Sequence, residues 1–261
     1  MNGFVEYPPI TNVSLDNGPR AGNFTSGEIV ALMSNGKEKG SFGVPYYSYI
    51  EEKKMERRLG RVLSEDVFAR PLTWGHLVQY RVFKLLGSEY KPCNNKTLDH
   101  PTVECWKGTP DAEKFDLGKT VAEIKCPQTL KSFCLMVDAW KKGGMNEVRK
   151  KHKDGDKFYW QTVSNAILTK AKYGELIVYV PYQSELEAIR EYASNFDGEK
   201  QSRFLWIASA YDDELPFVKD GGYYKNLNVM RFEIPVADKM ALHSRVEEAA
   251  KELIDVNLLA V

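Results

Sequence analysis

The sequence predicts a single α/β domain in which helices flank a mixed central β-sheet. The chain has 261 residues, of which 43% are hydrophobic, so it can bury a substantial apolar interior and is unlike disordered chains in composition. Apolar residues recur at helical spacing in residues 72–86, whereas residues 176–180 form a short apolar run between Gly174 and Pro181. The first pattern is typical of an amphipathic helix and the second of a strand covered on both faces. Because no repeat or linker divides the chain, we expect one domain over residues 1–261.

The first part of this domain, about residues 1–100, is predicted to be helical. The segment Thr25-Ser26-Gly27-Glu28 precedes an apolar run and has the residue types of a helix cap. Gly87 follows the third apolar periodic segment and indicates where that helix ends. The predicted helices cover residues 29–33, 49–62 and 72–86.

The middle part, about residues 101–182, is predicted to be the catalytic core. Two short β-prone runs flank a stretch rich in Gly, Pro and Asp, which indicates two or three adjacent antiparallel strands. A helical pattern, a basic loop and a stronger helix ended by Gly174 follow before the apolar strand. The predicted elements are strands at 102–106 and 120–126, helices at 130–140 and 157–171, and a strand at 176–180.

The last part, about residues 183–261, carries strand and helix patterns. Its predicted elements are strands at 204–208 and 229–234 and a terminal helix at 237–253.

Overall charge gives no indication of a polyanionic partner, because 36 basic residues balance 36 acidic ones. One local excess is present in residues 141–157, where we consider Lys141, Lys142, Lys150 and Lys151 as possible DNA contacts. A solvated basic loop is an equally good interpretation of the same segment.

The four cysteines form no C-x-x-C pair. Their spacing therefore indicates neither a zinc site nor a disulfide framework. There is no signal-peptide pattern and no apolar run near the roughly 18 residues that suggest a membrane span. We therefore expect no membrane association and a cytoplasmic location.

Two short segments carry the residues suited to catalysis. Gly108-Thr109-Pro110-Asp111 is followed, twelve residues after the aspartate, by Glu123-Ile124-Lys125. Side chains alternate along a strand, so Glu123 and Lys125 point the same way. If the two segments are neighbours, Asp111 joins them, and two carboxylates and an ammonium converge.

Such a cluster suits phosphodiester hydrolysis. Asp111 and Glu123, with the main-chain carbonyl of Ile124, offer the hard oxygen ligands that Mg²⁺ or Mn²⁺ requires. Lys125 can orient or deprotonate the attacking water and offset charge on the phosphate. The alternative for an isolated E-x-K is an ordinary same-face ion pair on a solvated strand; the Pro-Asp at this distance and the trailing Cys-Pro favour the catalytic interpretation.

These residues resemble a known family. G-T-P-D-A followed by E-I-K-C-P-Q-T is similar to the YqaJ-type viral recombinase, or phage lambda exonuclease-like, family of the PD-(D/E)xK nuclease superfamily. The resemblance implies a restriction-endonuclease-like core with a mixed central sheet flanked by helices. It also matches Phe158-Tyr159-Trp160-Gln161 before the apolar strand to a glutamine-bearing helix, and thereby implies an active-site role for Gln161.

Residues 20–28 are similar to the N-terminal segment that contacts the terminal 5′-phosphate in the family. The resemblance implies that Arg20, Thr25 and Ser26 bind this phosphate. A helix N-terminus and a bidentate arginine would suit it physically; the alternative is that Thr25 or Ser26 only caps the helix.

One position departs from the family. Thr73-Trp74-Gly75-His76-Leu77-Val78-Gln79 is similar to a W-G-x-x-x-E helix, but glutamine stands in place of the glutamate that helps arrange the metal site. Gln79 remains a possible weak metal ligand through its amide oxygen, yet it adds no charge for a second cation. We predict a structural role for His76.

Taken together, the resemblance implies a Mg²⁺-dependent 5′-to-3′ exonuclease that acts on double-stranded DNA ends and leaves single-stranded overhangs for recombination. It further implies a ring-shaped homo-oligomer, a trimer, and a single-strand annealing protein as partner. Two alternatives stay open: an endonuclease built on the same core, and a non-catalytic DNA-end-binding protein with a nuclease fold. An unrelated α/β enzyme is a third, if the resemblance is accidental.

Overall fold

The computed structural model describes residues 20–63, 69–114, 116, 119–196 and 201–254. Its strands are β1 (Phe24–Thr25), β2 (Tyr90–Pro92), β3 (Leu98–Asp99), β4 (Trp106–Gly108), β5 (Ala112–Lys114), β6 (Thr120–Lys125), β7 (Tyr173–Tyr179) and β8 (Leu227–Glu233). Its α-helices are α1 (Val44–Leu59), α2 (Arg70–Leu86), α3 (Leu130–Lys151), α4 (Gly155–Thr169), α5 (Leu186–Ser194), α6 (Leu205–Ala208) and α7 (Val236–Ile254).

A mixed five-stranded sheet forms the centre of the fold, in the order β2-β5-β6-β7-β8. The central pair, β6 and β7, is parallel, and the other three pairs are antiparallel. The connection between the two parallel strands contains α3 and α4, as a parallel pair requires a long crossover. The predicted α/β class with a mixed sheet flanked by helices is therefore confirmed.

Both faces of the sheet are covered. Along β7, Leu176 and Val178 pack into a core with α1, α3, α4 and α7, whereas Ile177 and Tyr179 pack into a second core with α2, α5 and α6. All four side chains are fully buried. Strand alternation explains this division, and it confirms the prediction of a strand covered on both faces.

A smaller sheet, in the order β1-β4-β3, lies beside the central one. Its middle strand β4 leads directly into Thr109-Pro110-Asp111 and then into β5. The predicted strand at 102–106 is therefore misplaced: the strand begins at Trp106 and belongs to the small sheet. The antiparallel neighbour of β6 is β5 instead, which pairs Ala112 with Ala122.

The predicted strand at 204–208 is wrong, because this segment forms the short helix α6. Phe204 and Ile207, three positions apart, are buried against α5, whereas Leu205 between them is exposed. A short apolar run is compatible with either structure, and here packing at helical spacing prevails.

The predicted basic loop is also wrong, since most of residues 141–157 is helical. The helix α3 continues to Lys151 across a kink at Gly143 and Gly144, where Gly144 adopts a φ of 63°. Both glycines are non-helical, and the helix resumes after them.

Three boundaries differ from prediction. Helix α1 begins at Val44 rather than 49, with Pro45 in its first turn. Gly174 does not end a helix. The helix α4 ends at Thr169, after which Lys170 adopts a left-handed conformation, and Gly174 lies inside β7.

The predicted capped helix at residues 29–33 is only a 3₁₀ helix. It is preceded by Glu28, which makes no side-chain cap, so the predicted Thr25 or Ser26 cap is absent. The predicted helix 72–86 and its stop at Gly87 are confirmed.

No helix in the described ranges is both long and apolar enough to cross a membrane.

Candidate active site

The strand β6 aims its functional side chains at one helix. Ala122 and Ile124 pack into the core beneath α2, so the alternate side chains, Glu123 and Lys125, face α4 on the other side of the sheet. From α4, Gln161 and Asn165 stand one turn apart and meet them. The sequence prediction that Glu123 and Lys125 share a face is confirmed.

Asp111 reaches this point from the loop between β4 and β5. Its Oδ2 accepts a hydrogen bond of 2.7 Å from the main-chain N–H of Ile124, and its Oδ1 accepts one of 3.0 Å from Nε2 of Gln79 on α2. A carboxylate offers about four lone-pair positions, so two remain for a further ligand. The side chain thus ties the loop to the catalytic strand.

Glu123 is completely buried. Its Oε1 accepts a hydrogen bond from Nδ2 of Asn165, and its Oε2 lies 3.5 Å from Nζ of Lys125. Burial raises the pKa of Glu123 to about 8; Lys125 and Asn165 oppose the rise, and the nearby charge of Asp111 adds to it. A buried carboxylate of this kind gains from binding a cation, because the cation stabilises its ionised form.

Lys125 is held from two sides. Its Nζ donates a 3.0 Å hydrogen bond to Oε1 of Gln161 and lies 5.2 Å from the centre of the Phe158 ring. Gln161 and Phe158 both come from α4, so one helix positions the ammonium over the buried carboxylate of Glu123. Gln161 therefore lies at the site, as the family resemblance implied.

The donor set fits Mg²⁺ or Mn²⁺. Asp111 and Glu123 provide two carboxylates, and the main-chain N–H of Ile124 donates to Asp111, so the backbone of Ile124 is adjacent to that carboxylate. Mg²⁺ is commonly bound by one or two carboxylates, with water and substrate phosphate completing its shell. Among the described residues, no group of three or more His, Cys, Asp or Glu side chains is placed to hold a metal.

The site opens into a groove of about 460 Å³ between α2, the end of β6, the start of α3 and α4. Asp111, Lys125 and Gln161 line this groove, together with Gln79 and His76. Beside it is a second recess of about 490 Å³, which we call the end cavity. Gln161 lines both, so the two spaces meet at the catalytic cluster.

Arg20, Thr25 and Ser26 all line the end cavity. Arg20 is exposed, and its guanidinium donates a 3.0 Å hydrogen bond to the hydroxyl of Thr109, two residues before Asp111. Ser26 is buried and its hydroxyl lies 2.7 Å from that of Ser164, so it is already engaged. The five-residue 3₁₀ helix that follows is too short to act as a dipole site, and of the three residues only Arg20 carries a positive charge.

Other cations at the end cavity are compensated by carboxylates. Lys53 is buried and lies 2.9 Å from Glu52 and 3.0 Å from Glu56, and Lys107 pairs with Asp99. Arg20 differs, because its hydrogen-bond partner within the described residues is the neutral hydroxyl of Thr109.

Gln79 faces Asp111 with its amide nitrogen. In this orientation the amide N–H of Gln79 donates a hydrogen bond to Asp111, and the amide oxygen does not take part in the contact. Gln79 therefore positions the carboxylate of Asp111. The carboxylate that the family places here would instead face Asp111 with a like charge.

The four lysines considered as DNA contacts do not reach the site. Lys141 and Lys142 precede the kink of α3, Lys150 and Lys151 follow it, and none lines the groove or the end cavity. Lys141 packs on the ring of Tyr223, and Lys150 pairs with Glu147 at 3.1 Å.

Two residues at the site escaped the sequence analysis. Thr109 bonds to Arg20, and Asn165 bonds to Glu123. Thr109 stands within the G-T-P-D segment, and Asn165 stands four residues after Gln161 on the same helix face. That spacing was the available signal for Asn165.

Comparison with known proteins identifies the fold. LHK-Exo, an alkaline exonuclease from Laribacter hongkongensis, superposes with a TM-score of 0.56 at 16% identity, covering 92% of both chains. A structure of LHK-Exo in complex with dAMP gives 0.57 at 16% identity, with 93% of each chain covered. A phage-related exonuclease from Haemophilus somnus 129PT gives 0.57 at 12% identity, covering 90% of this chain and 95% of that one.

No protein-family model and no curated protein matches the sequence. At these low identities the superpositions establish the fold, over nearly the full length of each chain. The chain therefore shares the fold of these three structures.

Proposed function

We propose that the chain is a metal-dependent deoxyribonuclease that degrades double-stranded DNA from its ends in the 5′-to-3′ direction. The observation that carries this proposal is the meeting of two spaces at one cluster. The groove holds Asp111, Lys125 and Gln161, and the end cavity with Arg20 opens beside it at Gln161. A strand that lies in the groove can thus present its terminal phosphate to the cavity.

In this proposal, Asp111, Glu123 and the Ile124 carbonyl hold Mg²⁺, which Mn²⁺ can replace. When bound there, a divalent cation would supply the polarisation of the phosphate and the lowered pKa of the attacking water. The ammonium of Lys125 donates a hydrogen bond to the scissile phosphate and offsets the charge that develops there. Gln161 keeps this ammonium in place through the 3.0 Å hydrogen bond to its Oε1.

The end cavity supplies the preference for ends. A guanidinium can bind a phosphate bidentately, and Arg20 is tied by Thr109 to the loop that carries Asp111. The terminal 5′-phosphate and the scissile phosphate would therefore be held by one continuous segment. The structural neighbours are an alkaline exonuclease, its complex with dAMP and a phage-related exonuclease, and these activities support exonucleolytic release of nucleotides.

The biological setting follows the same proposal. Resected ends carry single-stranded overhangs, the substrate of recombination, so a single-strand annealing protein is the expected partner. The resemblance suggests a ring-shaped homo-oligomer, a trimer. Such a ring would place the basic surfaces of several subunits around the duplex, whereas a single chain of zero net charge offers only local basic surface. The expected place of action is the cytoplasm, that of the host cell if the chain is phage-encoded.

The proposal is tested on linear duplex DNA labelled at either its 5′ or its 3′ end, with 5′-phosphate or 5′-hydroxyl termini, in Mg²⁺. We expect early release of the 5′ label as a mononucleotide, faster from phosphorylated ends, and no cutting of closed circles. Nicking or linearisation of closed circles would show an endonuclease instead. End binding without cleavage would show a non-catalytic protein, and would direct attention to Gln79.

A further inference from the structure

We propose that Asn165 is a positioning residue that fixes the buried carboxylate of Glu123 for metal binding. This inference rests on the proposed metal-dependent function and names a residue that supports it. The geometric basis is one hydrogen bond inside the protein: Nδ2 of Asn165 donates to Oε1 of Glu123, and both side chains have no exposed surface.

The contact has few competitors. Glu123 has two oxygens, of which Oε2 faces Lys125 at 3.5 Å, a long distance for a charge-assisted hydrogen bond. The Asn165 amide is therefore the close donor to this carboxylate. Its nitrogen, rather than its oxygen, faces this carboxyl group, and that is the orientation that the ionised, metal-binding form of Glu123 requires.

Asn165 lowers the stability of the folded protein in two ways at its position. It lies inside α4, where asparagine is a poor helix former, and its Oδ1 is buried without a hydrogen-bond partner. A residue chosen for packing alone would avoid both costs. The unpartnered oxygen indicates that the orientation of the amide is set by its other end, the contact with Glu123.

The neighbouring backbone makes room for this amide. A Cβ at Gly108 would collide with Oδ1 of Asn165, with Oγ of Ser26 and with Leu168. Gly108 stands three residues before Asp111, at the end of β4. Asn165 thus lies between the strand of one carboxylate ligand and the segment that leads to the other, and it holds their separation.

The test is titration of the full chain with Mn²⁺ alone, followed by calorimetry, in wild type, Asn165→Ala and Glu123→Gln. We expect Glu123→Gln to abolish binding and Asn165→Ala to weaken it about tenfold or more, as for other residues that orient a metal ligand. Thr162→Ala is the matched control. Thr162 is also buried on α4 and bonds only to the Phe158 carbonyl in the described structure, so its loss should leave the Mn²⁺ affinity unchanged.

A second variant, Gly108→Ala, displaces the amide without altering Asn165 and should weaken Mn²⁺ binding in the same way. With DNA present, high Mn²⁺ should restore the kcat of Asn165→Ala, which a general packing defect would not allow. Wild-type affinity in folded Asn165→Ala and Gly108→Ala would overturn the inference and leave the nuclease proposal standing. Absence of Glu123-dependent Mn²⁺ binding in wild type would overturn both.

Discussion

The substitution Gln79→Glu tests how the departure from the family pattern is accommodated. In the structure, Nε2 of Gln79 donates a 3.0 Å hydrogen bond to Asp111. The variant loses this charge-assisted bond, which contributes about 1.5–3 kcal/mol. It also places a second carboxylate beside the first, where two unit charges about 4 Å apart repel by about 4 kcal/mol at an effective dielectric constant near 20.

Water in the groove screens much of this repulsion, and the new carboxylate can turn away from Asp111. We therefore expect the metal-free variant to be about 2–3 kcal/mol less stable than wild type. A divalent cation bound between the carboxylates turns this repulsion into a stabilising interaction, because the carboxylate introduced at position 79 becomes a third ligand beside Asp111 and Glu123. Mg²⁺ should accordingly stabilise Gln79→Glu more than it stabilises wild type, and a hundredfold excess over the variant's own dissociation constant contributes about 2.7 kcal/mol to the stability of the variant.

The assay is urea unfolding followed by tryptophan fluorescence, with chelator and with Mg²⁺. Gln79→Leu is the control, because it removes the hydrogen bond without adding charge. We expect Gln79→Leu to be destabilised equally in both conditions, whereas Gln79→Glu recovers in Mg²⁺. Identical behaviour of the two variants would refute the placement of Gln79 at the cation site.

Two further predictions concern pH and the end cavity. Because burial raises the pKa of Glu123 above its unfolded value, its contribution to stability is fully present below about pH 4.5 and is lost as pH rises through about 8. Metal-free wild type should therefore lose stability relative to Glu123→Gln over this range in thermal unfolding, and parallel curves would contradict the assigned burial. Arg20→Ala should raise the KM for 5′-phosphorylated duplex about tenfold, the effect of one lost charge-assisted contact, and leave 5′-hydroxyl ends unchanged. Equal losses on both ends, measured by initial rates, would remove Arg20 from phosphate recognition.

The cluster of Asp111, Glu123 and Lys125 could be predicted from sequence because its geometry is local. Glu123 and Lys125 are two positions apart in one strand, and alternation alone places them on one face. Asp111 precedes the neighbouring strand by a single residue, so the short connection brings it close. The fold class followed from similarly local patterns, such as the apolar run in β7.

What escaped prediction depends on tertiary packing. Residues 204–208 form a helix because α5 offers a surface for Phe204 and Ile207, which a five-residue apolar run cannot reveal. Residues 141–157 were predicted as a basic loop, yet the glycines at 143 and 144 only kink a helix that resumes after them. The spacing from Gln161 places Asn165 on the same helix face, but its contact with the buried carboxylate of Glu123 depends on how α4 packs against β6.

The most direct test of the central claim is nucleotide release from linear duplex DNA in Mg²⁺ by wild type and Lys125→Ala. Lys84→Ala serves as control, because it removes an equal charge from an exposed lysine on α2 that lines neither the groove nor the end cavity. We predict cleavage by wild type and Lys84→Ala, its loss with chelator, and a decrease of about 100-fold or more in Lys125→Ala. Wild-type rates in Lys125→Ala, or cleavage that persists with chelator, would contradict a metal-dependent centre built from Asp111, Glu123 and Lys125.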